Sequence, residues 1–346
     1  MSAQIFGLDI GSTSLKVIQL SKSGEGVKVL AIGSCPTPPS GLTSDSRTDQ
    51  EALATTIKQL VQDAKISTKC VNTALPESQI YTQVREMAPL SDSELSAAIP
   101  WEAEQSIPLP VSDVTLDFQV LERPAKPTPG AKMSVFLVAA PKTLINKYLQ
   151  ILEMAGLEPA SLETEIIAIC RALTLLKSSN PVPTLIINLG SLTTDITVVR
   201  GGVIVFTRSI ATGGKALARA VAASLGMEER VAEEYKVTYG LEEEKVEGKI
   251  LEAIKPIFDV VVEEIKRAMT FYSERHPDEP LKRAVVIGGT AKLPGMLTYL
   301  AQSLGLEVQL GDPWQGLEVG KEFSSQLEND GAIFTTAVGL ALKGLV

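Results

Sequence analysis

Asp9, Gly11, Ser12, Thr13, Ser14 and Lys16 stand in the segment FGLDIGSTSLKVIQL, and Asn188, Gly190, Ser191, Thr193, Thr194 and Asp195 stand in LIINLGSLTTDITVV. In each segment an apolar strand ends in Asp or Asn, one apolar residue follows, then glycine, a hydroxyl-rich turn and a second alternating strand. Glycine lets backbone N–H groups approach an oxygen anion closely, and the hydroxyls add donors. One such turn is an ordinary hairpin. Two copies in the same order, half a chain apart, could face each other and hold a polyphosphate between them. The other chemistry available is narrow. His276 is the single histidine, which excludes zinc sites built on several histidines and argues against a Ser–His–Asp triad. Any reaction therefore draws on carboxylates, hydroxyls, backbone amides and a hard cation.

The elements that must position these residues belong to a chain of 346 residues, long enough for two lobes, and 45% apolar, as a well-buried globular protein is. A net charge of −9 without clustered Lys or Arg argues against a nucleic-acid surface. MSAQIFGLDIG has no basic leader and runs directly into a strand, so no signal peptide is expected. No stretch approaches the roughly 20 apolar residues that a membrane span needs. Cys35, Cys70 and Cys170 are scattered and odd in number, as ordinary thiols in a reducing cytosol are.

Along the chain, strands are expected at 5–10, 14–20 and 27–32, a loop at CPTPPSG (35–41), and a helix opened by a Thr48–Glu51 capping box. A buried strand over 71–75 stops at Pro76. From Tyr81 to Gly156 the texture changes to an inserted unit. It comprises a helix opened by Ser91 and Glu94 that ends before IPLP, an alternating strand VTLDFQVL, a loose PAKPTPG connection, the strand MSVFLVAA and a helix over 142–155. A helix over 163–176 and a hinge-like SSNPVP (178–183) lead to the second hairpin. Gly201–Gly202 then turns into VIVFTRSI, and Gly213–Gly214 precede a helix over 215–225. Helices follow over 228–238 and 247–275, the latter broken or kinked at Pro256, then the strand AVVIGG, a helix over 293–304, the strand LEVQL and a closing helix in TTAVGLALKG. Strands leading into helices twice over make this an α/β protein with two related lobes and a crevice between them.

The two hairpins, with the late strand–glycine–helix VVIGGTAKLPGMLTYLA, resemble the nucleotide-binding elements of the actin-like ATPases. Within that superfamily FGLDIGSTSLKVIQL, IPWEAEQSIPLPVSDVTLDF, LETEIIAICRAL and FTTAVGLALKG resemble the PilM family of type IV pilus assembly proteins, over essentially the whole chain. The resemblance implies a two-lobed actin-like ATPase fold, of duplicated ribonuclease H-like domains, with an FtsA-type inserted subdomain in the first lobe. It divides the chain into a first-lobe core (1–80), the inserted subdomain (81–158) and a connecting helix returning to the first lobe (159–182). The second-lobe core (183–215 and 283–330) is interrupted by a helical subdomain (216–282), and a closing helix (331–346) packs on the first lobe.

The resemblance also implies ATP and Mg²⁺ as ligands. Asp9, Gly11, Ser12, Thr13, Ser14 and Lys16 would form the first phosphate loop, with Lys16 reaching the terminal phosphates, unless it is a solvated strand lysine. Gly190, Ser191, Thr193 and Thr194 would form the second, with Asp195 just beyond. Gly213, Gly214 and Lys215 would sit at a helix N-terminus, which favours anions. Glu233 and Lys236 match the pair facing ribose and base, or form a surface pair three residues apart. Gly288, Gly289 and Thr290 would approach the adenine and α-phosphate, or else Gly288 and Gly289 only shape a turn. Glu165 matches the residue that orients attacking water, with Glu163 adjacent in pattern. Asp9 and Asn188 would hold the hydrated metal. Relatives that hydrolyse ATP carry Asp at the position of Asn188, and the neutral amide implies slow turnover or none.

The function implied is an ATP-binding cytoplasmic scaffold of pilus assembly, held at the inner face of the membrane through partners and not inserted in it. Its partner would be the N-terminal cytoplasmic segment of a PilN-like inner-membrane protein, lying in a groove walled by the inserted subdomain, with Trp101 and IPLP as contacts. Other pilus assembly proteins, and a homo-oligomer or filament, are further possible partners. Two alternatives stay open. A small-molecule kinase of the same superfamily needs a general-base carboxylate and a sugar-type pocket, and usually a longer chain. An FtsA-like filament protein of cell division or the cytoskeleton ends in an amphipathic tail, whereas this chain stops at Val346 directly after a helix of the fold.

Overall fold

Strand β1 (Phe6–Ile10) is buried at every position, because the sheet it belongs to is covered on both faces. The computed structural model describes residues 4–24, 26–124, 130–174, 182–323, 327 and 330–345. β1 pairs antiparallel with β2 (Ser14–Ser23), which pairs antiparallel with β3 (Gly26–Pro36). On its other side β1 pairs parallel with β4 (Cys70–Leu75), and β4 parallel with β8 (Glu158–Thr164). A short β14 (Leu317–Glu318) joins β3, giving the order β14-β3-β2-β1-β4-β8. The second sheet repeats the plan. It is built from β9 (Thr184–Leu189), β10 (Thr194–Arg200), β11 (Val203–Ile210), β12 (Arg283–Ile287) and β13 (Glu307–Leu310), in the order β11-β10-β9-β12-β13. There too an antiparallel hairpin is followed by two parallel pairings.

One face of the first sheet, carrying Phe6, Leu8 and Ile10, packs on helices α1 (Arg47–Asp63) and α3 (Lys142–Met154), which contribute Leu53, Ile57, Tyr148, Ile151 and Leu152. The opposite face, with Ile18, Leu20 and Val29, is covered by α9 (Thr335–Leu342). Gly7 makes that approach possible: a Cβ there would stand 2.3 Å from the carbonyl oxygen of Ala337. Helix α4 (Glu165–Thr174) crosses α9 at Gly339, where a Cβ would stand 1.8 Å from the carbonyl oxygen of Ala168. The second sheet is backed by α5 (Gly214–Leu225), α6 (Glu229–Tyr239), α7 (Lys249–Arg275) and α8 (Met296–Leu304). A third sheet, β5 (Tyr81–Met87), β7 (Met133–Pro141) and β6 (Val114–Glu122) in that spatial order, carries α2 (Asp92–Ser106) on one face. Phe136, Val84 and Val138 of this small sheet join α4 and Ile186, Val199 and Val285 of the second sheet in another cluster.

Several expectations are corrected. Residues 158–164 form a strand, not the start of a helix over 163–176, and α4 begins only at Glu165. Leu162, Glu163 and Thr164 pair with Thr73, Ala74 and Leu75, and a register shift near Pro159 accommodates a residue that cannot donate to the ladder. The capping box at Thr48 and Glu51 is absent. α1 starts after Ser46 without a side-chain cap, and Glu51 instead accepts from Arg47 at 2.9 Å. The box at Ser91 and Glu94 forms in full. α7 continues unbroken through Pro256. Part of PAKPTPG (125–129) and part of the 178–183 segment, with the end of the expected 163–176 helix, lie outside the described residues. Trp101, expected as a contact, is 71% exposed on the outer side of α2. Among the described residues no helix is long and apolar enough to cross a membrane.

Candidate functional site

The turns of the two hairpins meet across one cavity of about 460 Å³ between the first and second sheets. Asp9, Gly11, Ser12, Thr13, Ser14, Lys16, Asn188, Gly190, Ser191, Thr193, Gly214, Lys215, Glu233, Lys236, Gly288, Gly289, Thr290 and Glu165 all line it, so the structure brings the expected residues together. Gly213 and Thr194 stand just behind. A Cβ on Gly213 would lie 2.7 Å from the Gly190 carbonyl oxygen, and the Thr194 hydroxyl donates to the Thr212 carbonyl at 2.8 Å. Pro39–Thr43 from the β3–α1 loop and Asp195, Leu293, Ala332, Ile333 and Thr336 also line it.

Each turn is closed by its own backbone. The Gly190 N–H donates to the Thr193 carbonyl at 3.0 Å, and a Cβ on Gly11 would stand 2.7 Å from the Ser14 carbonyl oxygen. The hydroxyls of Ser12, Thr13, Ser14, Ser191 and Thr193 have no hydrogen-bond partner among the described residues, which leaves them free to donate into the cavity. α5 starts at Gly214, whose own N–H donates to Gly190 O at 2.9 Å, while a Cβ there would meet the Thr290 hydroxyl at 2.5 Å. Lys215, the next residue, has no carboxylate partner among the described residues. Gly288 has φ +89°, and a Cβ would stand 2.8 Å from Asn188 Oδ1, so the strand–glycine turn needs glycine both for its backbone and for closeness to the second hairpin.

The charged groups are arranged in cross-strand pairs. Asp9 on β1 faces Lys16 on β2, and Lys16 Nζ donates to Asp9 Oδ2 at 3.0 Å with both residues 7% exposed. The corresponding pair in the second hairpin is Asn188 and Asp195. Asn188 Nδ2 donates to Asp195 Oδ2 at 3.2 Å, and the Ser209 hydroxyl donates to Oδ1 at 2.6 Å. Burial nevertheless pushes the Asp195 carboxyl up to about 6. Lys236 Nζ is buried and held by both Glu233 oxygens, at 2.8 and 2.7 Å, and by the Gly214 carbonyl at 3.0 Å, while Glu233 is exposed, so this i,i+3 pair reaches from solvent to the start of α5. Glu165 opens α4, and its carboxyl is raised well above the usual range, chiefly by desolvation and then by Asp195 and Asp9.

One neighbour escaped the motif reading. Glu77, in the turn after β4, is 4% exposed, and burial with Asp195 opposite raises its carboxyl to about 8. The available signal was positional: an acid following Pro76 at the end of a buried strand, where α/β proteins gather ligand residues.

Chemically the cavity can take an elongated anion, held by unpaired hydroxyls, by glycine backbone and by the Lys215 ammonium. Among the described residues no three His, Cys, Asp or Glu side chains gather as a self-sufficient metal site. A Mg²⁺ carried by phosphates needs only one or two protein oxygens and keeps water in its other positions. Asp9 and the amide oxygen of Asn188 suit that smaller role.

A family model described as "Type IV pilus assembly protein PilM" matches residues 7–345. The chain is 23% identical to the cell division protein FtsA of Streptococcus pneumoniae serotype 2 (strain D39), with 89% of this chain and 75% of that one covered. It is 24% identical to FtsA of Neisseria meningitidis serogroup B (strain MC58), covering 88% and 83%. The solved "PilM-PilN type IV pilus biogenesis complex" superposes with a TM-score of 0.87 at 28% identity, and all of both chains is covered. MreB5 of Spiroplasma citri bound to ADP shares the fold at a TM-score of 0.54 and 14% identity, over 99% of this chain and 97% of that one. With its duplicated sheets, its facing hairpins and a family match from end to end, the chain belongs to the PilM family of type IV pilus assembly proteins and has the two-lobed fold of the actin-like ATPases.

Proposed function

We propose that this chain is an ATP-binding scaffold of type IV pilus assembly that hydrolyses its nucleotide slowly or not at all. The observation that carries this reading is the cavity where two glycine turns present unpartnered hydroxyls to one another. Gly11, Ser12, Thr13 and Ser14 from one side, and Gly190, Ser191, Thr193 and Thr194 from the other, clasp the phosphates. Lys215, with Gly213 and Gly214 at the start of α5, adds positive potential. Lys16 exchanges Asp9 for the terminal phosphate. Glu233 and Lys236 border the ribose, and Gly288, Gly289 and Thr290 the base and α-phosphate. Mg²⁺, when bound with nucleotide, would neutralise phosphate charge, with Asp9 and Asn188 holding its water shell. Glu165 would orient the attacking water.

Replacing Asp9 with alanine, or Gly214 with valine, is expected to lower the affinity for a fluorescent ATP analogue at least tenfold while circular dichroism stays unchanged. The valine branch has no room beside Thr290. Native affinity in both variants would exclude the cleft as the nucleotide site.

We further propose that the first lobe and small subdomain capture the cytoplasmic N-terminal segment of a PilN-like membrane protein, which keeps the chain at the inner face of the membrane. The likeness to the PilM–PilN complex and the exposed Trp101 and Leu109 support this. A synthetic peptide of that segment should bind the native chain, and the double variant Trp101→Ala, Leu109→Ala should bind it at least fivefold more weakly. Tight binding to lipid vesicles with no peptide present would contradict indirect attachment.

A further inference from the structure

Glu77 sits where three parts of the molecule meet. Its Oε1 accepts from the Ile166 N–H in the first turn of α4 at 3.3 Å, and its Oε2 accepts from the Thr82 hydroxyl of β5 at 3.1 Å. The Thr164 hydroxyl at the end of β8 faces it as well, and also caps α4 by accepting from the Ile167 N–H at 3.2 Å. Pro76, Ser78 and Gln79 on either side line the cavity. Glu165 is therefore the residue between the strand that faces Glu77 and the backbone group that binds it.

We propose, resting on the nucleotide reading above, that Glu77 is a positioning residue of the cleft: its buried carboxyl ties the first turn of α4, and with it Glu165, to the start of β5, and nucleotide binds best while that carboxyl is neutral. The charged neighbours explain the preference. Asp195 on β10 repels an anion at Glu77, Glu165 on α4 is itself held toward its neutral form, and Cys170 on α4 offers no positive charge. On β11, Ser209 is bound to Asp195 and Arg208 is paired with Glu264 at 2.8 Å, so neither neutralises it. Lys16, the cation that faces Glu165, is held by Asp9. A carboxyl raised to about 8 keeps its proton at neutral pH. Neutral, it accepts from Ile166 N–H with one oxygen and can donate through the other to a threonine hydroxyl. Ionised, it adds a negative charge beneath the site that receives phosphates, so nucleotide binding and ionisation of Glu77 oppose one another.

The test titrates a fluorescent ATP analogue with Mg²⁺ from pH 6.5 to 9.5 against the native chain, Glu77→Gln, Glu77→Ala and Glu165→Gln. Native affinity should hold to about pH 8 and then fall, by up to tenfold per pH unit for one linked proton. Glu77→Gln, which keeps a neutral group able to donate and accept, should hold its affinity across the range. Glu77→Ala should bind more weakly than the native chain below pH 8 and show no further fall above it. A fall above pH 8 that persists in Glu77→Gln, or that vanishes only in Glu165→Gln, would overturn the assignment.

Melting curves without nucleotide separate this from failure of the cleft reading. The unfolded Glu77 ionises near 4.5 and the folded one near 8. Its penalty on the native protein therefore grows between those values and is constant above. The melting temperature of Glu77→Gln should exceed the native value by a margin that widens from pH 5 to pH 8 and then stays level. Were no variant to bind nucleotide, a margin that did not change with pH would still refute the role of the proton, and a widening one would support it.

Discussion

Replacing Gly339 with alanine is expected to destabilise the protein by about 3 kcal/mol or more and to lower its melting temperature by roughly 4 °C or more. The added Cβ would lie 1.8 Å from the Ala168 carbonyl oxygen and 2.4 Å from its carbon. Both obstacles are backbone of a neighbouring helix, so no rotamer change relieves them. α9 and α4 must separate, which also strains the hydrogen bond from Arg171 Nη1 to Gly339 O at 2.6 Å. Because α4 carries Glu165 into the cavity, affinity for nucleotide should fall with stability. Calorimetry of the variant decides the matter: a transition within a degree of the native one would mean that the two helices have slack not apparent in their packing.

Restoring a carboxylate with Asn188→Asp is expected to raise steady-state phosphate release roughly a hundredfold over a very slow native rate. That gain corresponds to about 3 kcal/mol of transition-state stabilisation from a firmer hold on the metal's hydration shell. The structure adds a condition. The Asn188 amide donates to Asp195 at 3.2 Å, and a second carboxylate there would repel the first unless a cation or a proton intervened. The variant should therefore be less stable than the native chain without Mg²⁺ and should recover when Mg²⁺ and nucleotide are supplied together. Brisk hydrolysis by the native chain, or no gain in the variant, would show that the amide does not limit the rate.

The features that could be read from residues alone were those whose cause is local. Gly11 and Gly190 announce their turns because the backbone there excludes a Cβ, and Ser91 with Glu94 announces a helix because the cap is made within four residues. Strand β8 carried no such mark. Its pairing partner lies far away in β4, and Pro159 reads as a breaker until the register shift beside it is seen. The same holds within the site. Lys16 and Asp195 were visible as charges, but their cross-strand partners decide what they do, and those depend on register. Asp9 neutralises Lys16, whereas Asn188 leaves Asp195 without a cation. Glu77 matters because β5, β8 and α4 converge on it, and no short stretch of sequence contains that convergence. Trp101 is exposed because α2 buries Leu95, Ile99 and Ala103 instead, and these lie on another side of the helix.

The covering of the first sheet by α9 also bears on how the chain comes to exist. Residues up to Ala155 suffice to cover one face, since α1 and α3 supply that layer. The other face, with Ile18, Leu20 and Val29, waits for Ala337, Val338 and Ala341. On the ribosome the entire second sheet is made in between. At roughly 5–20 residues per second this leaves an apolar surface bare for on the order of ten seconds in every nascent molecule. A chaperone bound to that surface would have to leave before α9 could take its place.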